Sequence, residues 1–217
     1  MIEFRPFGKI ARLSRECFVT EKIDGTNASI FIGEDGEFLT GSRTRWITPD
    51  DDNFGFSRWA HDHKDELMQL GPGHHFGEWW GKGIQRNYRI EERRWSLFNT
   101  SIWADNTKRP ECCSVVPVLR SGIFDDLNWF DVLFQLQADG SHAAPGFSSP
   151  EGIVIYHVAS NHYYKKTIEH DDEPKLAHVK KERQPQAKRS RNTGIMWTGE
   201  RRQGATAGYT GTERRAA

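Results

Sequence analysis

The sequence is poor in the features that mark whole classes of protein. It holds three cysteines in 217 residues, and two of them, Cys112 and Cys113, are neighbours. An odd count without C-x-x-C spacing argues against a disulfide framework or a cysteine-built zinc site. It suits buried thiols in a reducing, cytosolic setting. No apolar run is long enough to cross a bilayer, and Met1–Phe18 shows no signal-peptide pattern, so no membrane role is expected. Net charge is also missing, because 30 Lys and Arg balance 30 Asp and Glu. The balance is uneven along the chain. Residues 175–217 carry eleven basic and three acidic residues, a net +8 that leaves −8 for the rest. An acidic body with a basic tail suits a globular domain plus a segment that meets polyanions, or one that only aids solubility.

What the chain does have is length for one sizeable core and eight tryptophans to help fill it. The stretch that organises it is Thr20-Glu-Lys-Ile-Asp-Gly-Thr-Asn27. Strand-like residues flank it, Cys17–Val19 before and Ala28–Ile32 after. A lysine and a carboxylate thus sit one residue apart at a strand end. Gly25 follows, where the backbone can turn or approach a ligand closely. A lysine is a nucleophile only when deprotonated, and burial or nearby positive charge lowers its pKa. The alternative is an exposed Lys-x-Asp-Gly turn.

Further along, Met1–Arg15 reads as a short leading strand and loop. Phe18–Ile32 and Glu37–Gly41 read as a hairpin turned by Glu34-Asp35-Gly36. Arg43 and Arg45 at a strand end suit a phosphate or carboxylate. Ser57–Leu70 reads as a surface helix capped by Ser57 and ended at Gly71-Pro72-Gly73. His61 and His63 in it point to different faces and make no metal site. His75–Gln85 reads as a strand carrying Glu78 into a partly buried place, where it needs a partner. Arg94–Trp103 and Ser114–Leu119 read as strands. Asp125–Gln137 reads as an amphipathic helix with Leu127, Phe130, Leu133, Phe134 and Leu136 inward. Glu151 then opens a buried strand, and Lys165 and Lys166 end the next. From Ala187 the composition turns to Arg, Gly, Thr and Ser, and a mobile segment is expected. Cations and carboxylates alternating on strand ends suit a nucleotide triphosphate with a divalent metal.

In order, these segments resemble the covalent nucleotidyltransferases, the ATP-dependent DNA and RNA ligases and mRNA capping enzymes. Lys22-Ile-Asp-Gly-Thr-Asn27 resembles motif I, Ser42-Arg43-Thr44 motif Ia and Phe76-Gly-Glu78-Trp-Trp-Gly81 motif III. Trp95-Ser-Leu-Phe98 resembles motif IIIa, Glu151-Gly-Ile-Val-Ile155 motif IV and Tyr164-Lys165-Lys166-Thr167 motif V. One Lys-x-Asp-Gly is weak, whereas six elements in register over residues 18–175 are specific. Asn27 and the Gly81–Gln85 segment resemble most the phage RNA ligases that seal nicks in duplex RNA.

The resemblance implies an α+β, ATP-grasp-like nucleotidyltransferase (ligase adenylation) domain of antiparallel sheets flanked by helices at 1–175. A basic, flexible tail would follow at 176–217. It implies ATP and Mg2+ or Mn2+ as cofactors. Lys22 would attack the α-phosphate and form lysyl-AMP, with Asp24 beside it. AMP would pass to an RNA 5′-phosphate and be displaced by a 3′-hydroxyl, on nicked or duplex ends, with DNA also possible. Glu21 would read adenine through its backbone. Asn27 and Arg43 would lie near phosphate and ribose, Glu78 would bind the ribose hydroxyls, and Phe98 would stack on the base. Glu151 would hold the metal, and Lys165 and Lys166 would meet the α-phosphate. The family's motif V usually spaces its lysines one residue apart. Here they are adjacent, so strand alternation sends them to opposite faces and favours Lys165. The resemblance also implies a cytoplasmic setting in a phage-infected or bacterial cell. No counterpart of the family's usual further domain is expected after Lys175; the tail or a protein partner would supply the grip on nucleic acid, or the protein would be a minimal ligase or one that keeps only adenylation. A DNA ligase, a GTP-using capping enzyme or an inactive nucleic-acid-binding relative stays open as an alternative.

Overall fold

The computed structural model describes residues 2–169 and 171. The expected basic tail lies outside the described residues. Two sheets divide the strands. The first has the order β10-β9-β1-β8 and the second β4-β3-β2-β5-β6-β7. In the first, β1 (Glu16–Lys22) runs antiparallel between β9 (Gly152–His157) and β8 (Val118–Ile123), and β10 (His162–Thr167) forms the edge. In the second, β2 (Thr26–Ile32) lies between β3 (Phe38–Ser42) and β5 (Gly73–Gly81). Beyond these come β4 (Trp46–Ile47) and β6 (Arg93–Leu97). The short β7 (Cys113–Val115) pairs parallel to β6. The architecture is the expected α+β one, with mostly antiparallel sheets and few helices.

Period-two burial drives this arrangement. Ala28, Ile30 and Ile32 alternate inward on β2 and share a core with Trp79, Trp95 and Leu97 on the neighbouring strands. The helices α1 (Phe56–Asp62) and α2 (Lys64–Leu67) cover that core with Phe56, Ala60 and Leu67. On the first sheet, Cys17, Val19, Ile153 and Ile155 meet Val132, Leu133 and Leu136 of α4 (Trp129–Asp139). A third cluster of Ile23, Trp80, Tyr88, Val116 and Phe147 closes the seam where the chain crosses from one sheet to the other.

Several local expectations change. Residues 2–12 form no strand, and Ile2, Phe4 and Phe7 lie in solvent without a neighbouring strand to pair with. β1 and β2 belong to different sheets, so the hairpin is β2–β3 alone, turned at Gly36. Ser57 is no cap. It lies buried inside α1, where its hydroxyl meets that of Thr40 at 2.7 Å. The carboxylate of Asp52 instead accepts from the Ser57 and Arg58 amides at 2.8 and 3.0 Å, so an acidic loop residue serves the helix start. The helix also breaks at His63 and ends in a 3-10 turn, Met68–Leu70.

The segment read as one strand over Arg94–Trp103 is β6 followed by the helical turn α3 (Thr100–Trp103). The Ser101 hydroxyl donates to the Asn99 side chain, a local bond that competes with the ladder. Ser114–Leu119 divides between β7 and β8, in different sheets. α4 begins at Trp129, after Leu127. Its Phe130 and Phe134 point outward at 60% and 68% exposure, because positions four apart share a face and this pair sits off the stripe of Val132, Leu133 and Leu136. Among the described residues no helix is long and apolar enough to cross a membrane.

Candidate active site

Lys22 ends β1 beside the seam. Its Nζ donates to Glu151 Oε2 at 2.5 Å, and both side chains are largely shielded, at 20% and 13% exposure. The register explains the meeting. Lys22 pairs with Gly152, so the residue just before β9 comes alongside. Gly152 also lets β10 approach, since a Cβ there would collide with the Lys166 carbonyl.

The crossing from β1 to β2 brings the second wall. A Cβ on Gly25 would stand 2.5 Å from the Trp79 carbonyl oxygen, so only glycine allows the loop to lie against β5. Packed there, the Gly25 amide donates to Glu78 Oε1 at 3.1 Å, and Asn27 Nδ2 donates to Glu78 Oε2 at 2.9 Å. Glu78 pairs across the sheet with Asn27 and Ser96. It is 9% exposed, and burial pushes its pKa up to about 7 despite the charge of Lys22 and the two donated bonds. Asp24, the other carboxylate of the loop, is held by Arg86 Nε at 3.1 Å, and its amide donates to the Tyr88 hydroxyl at 2.7 Å. Burial raises the Tyr88 pKa, which keeps the phenol neutral. Gln85, Asn87, Tyr88 and Arg89 all have positive φ, a strained run that delivers Arg86 and Tyr88 to the loop.

The remaining residues sort by face. Thr20 pairs with Val154 and Val154 with Lys165, so Lys165 stands on the Lys22 side of the first sheet. Lys166 pairs with Ile153 on the opposite side and donates to Asp171 at 2.6 Å. Thr167, where a second lysine would share the Lys22 side, faces Gly152. The Glu21 side chain also turns to the opposite side. It is 1% exposed and accepts from Ser141 Oγ at 2.5 Å and from the His142 and Ala143 amides at 2.8 Å each, while its own amide donates to the Pro117 carbonyl. Phe98 is half-buried against the seam cluster on the second sheet. Arg43 is exposed, one residue beyond the Ala28–Ser42 pair. Its neighbour Arg45 is engaged by Asp51.

Lys22, Asp24, Asn27, Glu78 and Glu151 are therefore brought together, with Lys165, Phe98 and Arg43 around them. Lys166 is not. Arg86, Tyr88 and Ser141 were missed from the sequence. The strand expected there ends at Gln85, and nothing in a polar loop marks the residue that will bond a buried glutamate 120 positions away. A shallow hollow of about 460 Å3 lined by Arg58, Trp59, Trp79 and Arg93 lies on the helix-covered side of the second sheet, apart from this site.

A shielded lysine at a strand end is thus flanked by carboxylates from two sheets. The model of the RNA ligase family matches residues 15–175, and the chain belongs to that family. Solved structures of Naegleria gruberi RNA ligase share the fold. A mutant with ATP and Mn aligns at a TM-score of 0.53 and 17% identity, over 71% of this chain and 49% of that one. The same ligase with PPi aligns at 0.52 and 18%, over 71% and 50%. A mutant with AMP and Mn gives 0.53 and 17%, over 71% and 50%. This chain thus spans about half the length of those chains. No curated protein sequence matches it.

Proposed function

We propose that this chain is the nucleotidyltransferase part of an ATP-dependent RNA ligase that works through a lysyl-AMP intermediate. The observation that carries the reading is the Lys22 Nζ–Glu151 contact at 2.5 Å, facing a glutamate whose pKa lies near 7. Lys22 must lose a proton before its lone pair can attack phosphorus. Glu151, within hydrogen-bond reach, takes that proton. A P–N bond then forms at the α-phosphorus and the bond to the β-phosphate oxygen breaks, releasing pyrophosphate. In the second step an oxygen of an RNA 5′-phosphate displaces Lys22, which recovers a proton. In the third, a 3′-hydroxyl attacks that 5′-phosphate and AMP leaves.

The other residues bind and orient. Glu78 accepts the ribose hydroxyls with the acceptor capacity that two donors leave free. Phe98 stacks on the base, the Glu21 backbone lies at the adenine edge, and Asn27 and Arg43 flank the phosphates and ribose. Lys165 offsets charge growing on the α-phosphate. Asp24, held by Arg86, fixes the loop that carries Lys22. Mg2+ or Mn2+ fits this donor set in one way only. Among the described residues no three His, Cys, Asp or Glu side chains gather as a cage. The metal would therefore rest on Glu151, the phosphates and water, as Mg2+ commonly does, and would neutralise phosphate charge. The three free thiols suit a reducing, cytoplasmic setting.

The test is incubation with ATP labelled at the α-phosphate and Mn2+, followed by a denaturing gel. Label stays on the wild-type protein and is absent from Lys22→Ala. Folded, initially unadenylated wild-type protein that takes no label from ATP contradicts the reading. Label from GTP alone points to a capping-type transferase instead.

A further inference from the structure

The face of the second sheet that carries Glu78 continues past the site. After the Asn27–Glu78 pair comes Ser29–Phe76, then Phe31–His74. Two strand residues span about 6.6 Å, so the rows lie roughly 7 and 13 Å from Glu78 along the strand. Trp46 joins them from β4. Gly41 has no side chain in its way, and a Cβ there would stand 3.3 Å from the indole. The four rings touch in sequence. Phe76 lies 4.2 Å from His74, and His74 lies 5.6 Å from Trp46 with planes 22° apart. Phe31 meets both His74 and Trp46 edge-on, at 5.9 and 6.4 Å. Phe76 and Trp46 are half exposed, at 53% and 50%.

A contiguous, half-exposed aromatic strip on an open sheet face costs solubility and marks a contact surface. Its composition selects the occupant. Unpaired RNA bases are read by stacking on Phe, Tyr, Trp or His, whereas an A-form duplex hides its base faces. Burial and the nearby His75 lower the His74 pKa, leaving a neutral flat ring at neutral pH. Arg43, exposed in the turn between β3 and β4, is placed for the backbone phosphates that accompany such bases. The strip is continuous with the site, and Phe98, whose amide donates to the Phe76 carbonyl at 3.0 Å, lies beside Phe76 and packs against the seam cluster.

We propose that Phe76, His74 and Trp46 form a stacking platform for unpaired bases of the RNA strand whose end is presented to Lys22. The proposal rests on the ligase reading and narrows its substrate to ends with unpaired nucleotides beside the joined phosphate.

The experiment measures binding of a short, fluorescent, 5′-phosphorylated oligoribonucleotide by anisotropy at fixed salt, with ATP labelling and thermal melting of each protein alongside. Trp46→Ala and Phe76→Ala each weaken binding about tenfold, and the double variant about a hundredfold. Trp46→Phe binds like wild type, and labelling and melting stay unchanged. An oligonucleotide with abasic sites beside its 5′ end binds wild type as weakly as the intact one binds the double variant. Equal RNA affinity in wild type and double variant, with labelling intact, overturns the platform and leaves the ligase reading standing. Wild-type protein that sediments as a dimer without RNA, and as a monomer when doubly substituted, overturns it in favour of a second copy of the chain. Loss of labelling in wild type defeats the ligase reading itself, whatever the RNA affinity.

Discussion

Two buried glutamates stand either side of Lys22, and their surroundings differ. Glu21, on the first sheet, meets three donors from one loop, Ser141 Oγ and the His142 and Ala143 amides. Glu78, on the second sheet, meets two, and burial outweighs them enough to bring its pKa to about 7. The first carboxylate is consumed in holding the 141–144 loop against β1. The second has unspent acceptor capacity on the side where Lys22 and Glu151 converge. A buried acid with all its donors supplied is structure, whereas one short of donors is placed for a ligand that brings them.

Glu21→Ala breaks the comparison hardest. It strands three donors around a buried gap, each costing about 1–3 kcal/mol. Urea denaturation is expected to show a loss of several kcal/mol, and a loss under about 1 kcal/mol would mean that the loop does not depend on it.

Glu78→Gln acts next, and its sign depends on pH. The unfolded carboxyl titrates near 4.5 and the folded one near 7. The favourable difference is complete below about pH 4.5 and is lost as pH rises to about 7, in all about 3 kcal/mol. Relative to the glutamine variant, wild-type stability should fall across that window, and the variant should label at least about tenfold more slowly. Parallel pH profiles for the two proteins would remove Glu78 from the account.

The lysines sharpen the comparison by face. Lys165→Ala should slow labelling about a hundredfold, as loss of one charge-stabilising group does. Lys166→Ala, on the Asp171 side, should stay within about twofold, since an exposed ion pair contributes little. Arg86→Met, which frees Asp24, falls between the two and should slow labelling several-fold without moving the melting temperature.

Much of this site was legible because its chemistry is local. Lys22, Asp24 and Asn27 follow one another, and the two-residue period of a strand is enough to separate Lys165 from Lys166. Glu78 and Glu151 were marked by the apolar strands around them. Contacts made at long range were not legible. Glu21 is expected to act through its backbone, and nothing in the spacing links its side chain to the 141–144 loop that it holds. Tyr88 and Arg86 arrive through a run of positive φ that composition does not announce. The exposed Phe130 and Phe134 show the same limit in the fold. A helix with aromatics on two sides does not reveal which stripe the sheet will take.

The central claim is that the nucleophile is Lys22. The most direct measurement is the position of the adenylate after incubation with ATP and Mn2+, read by peptide mass spectrometry under conditions that preserve a phosphoramidate. AMP is expected on the peptide containing Thr20–Asn27, at Lys22. AMP on Lys165, Lys166 or any other lysine, with Lys22 unmodified, would contradict the claim.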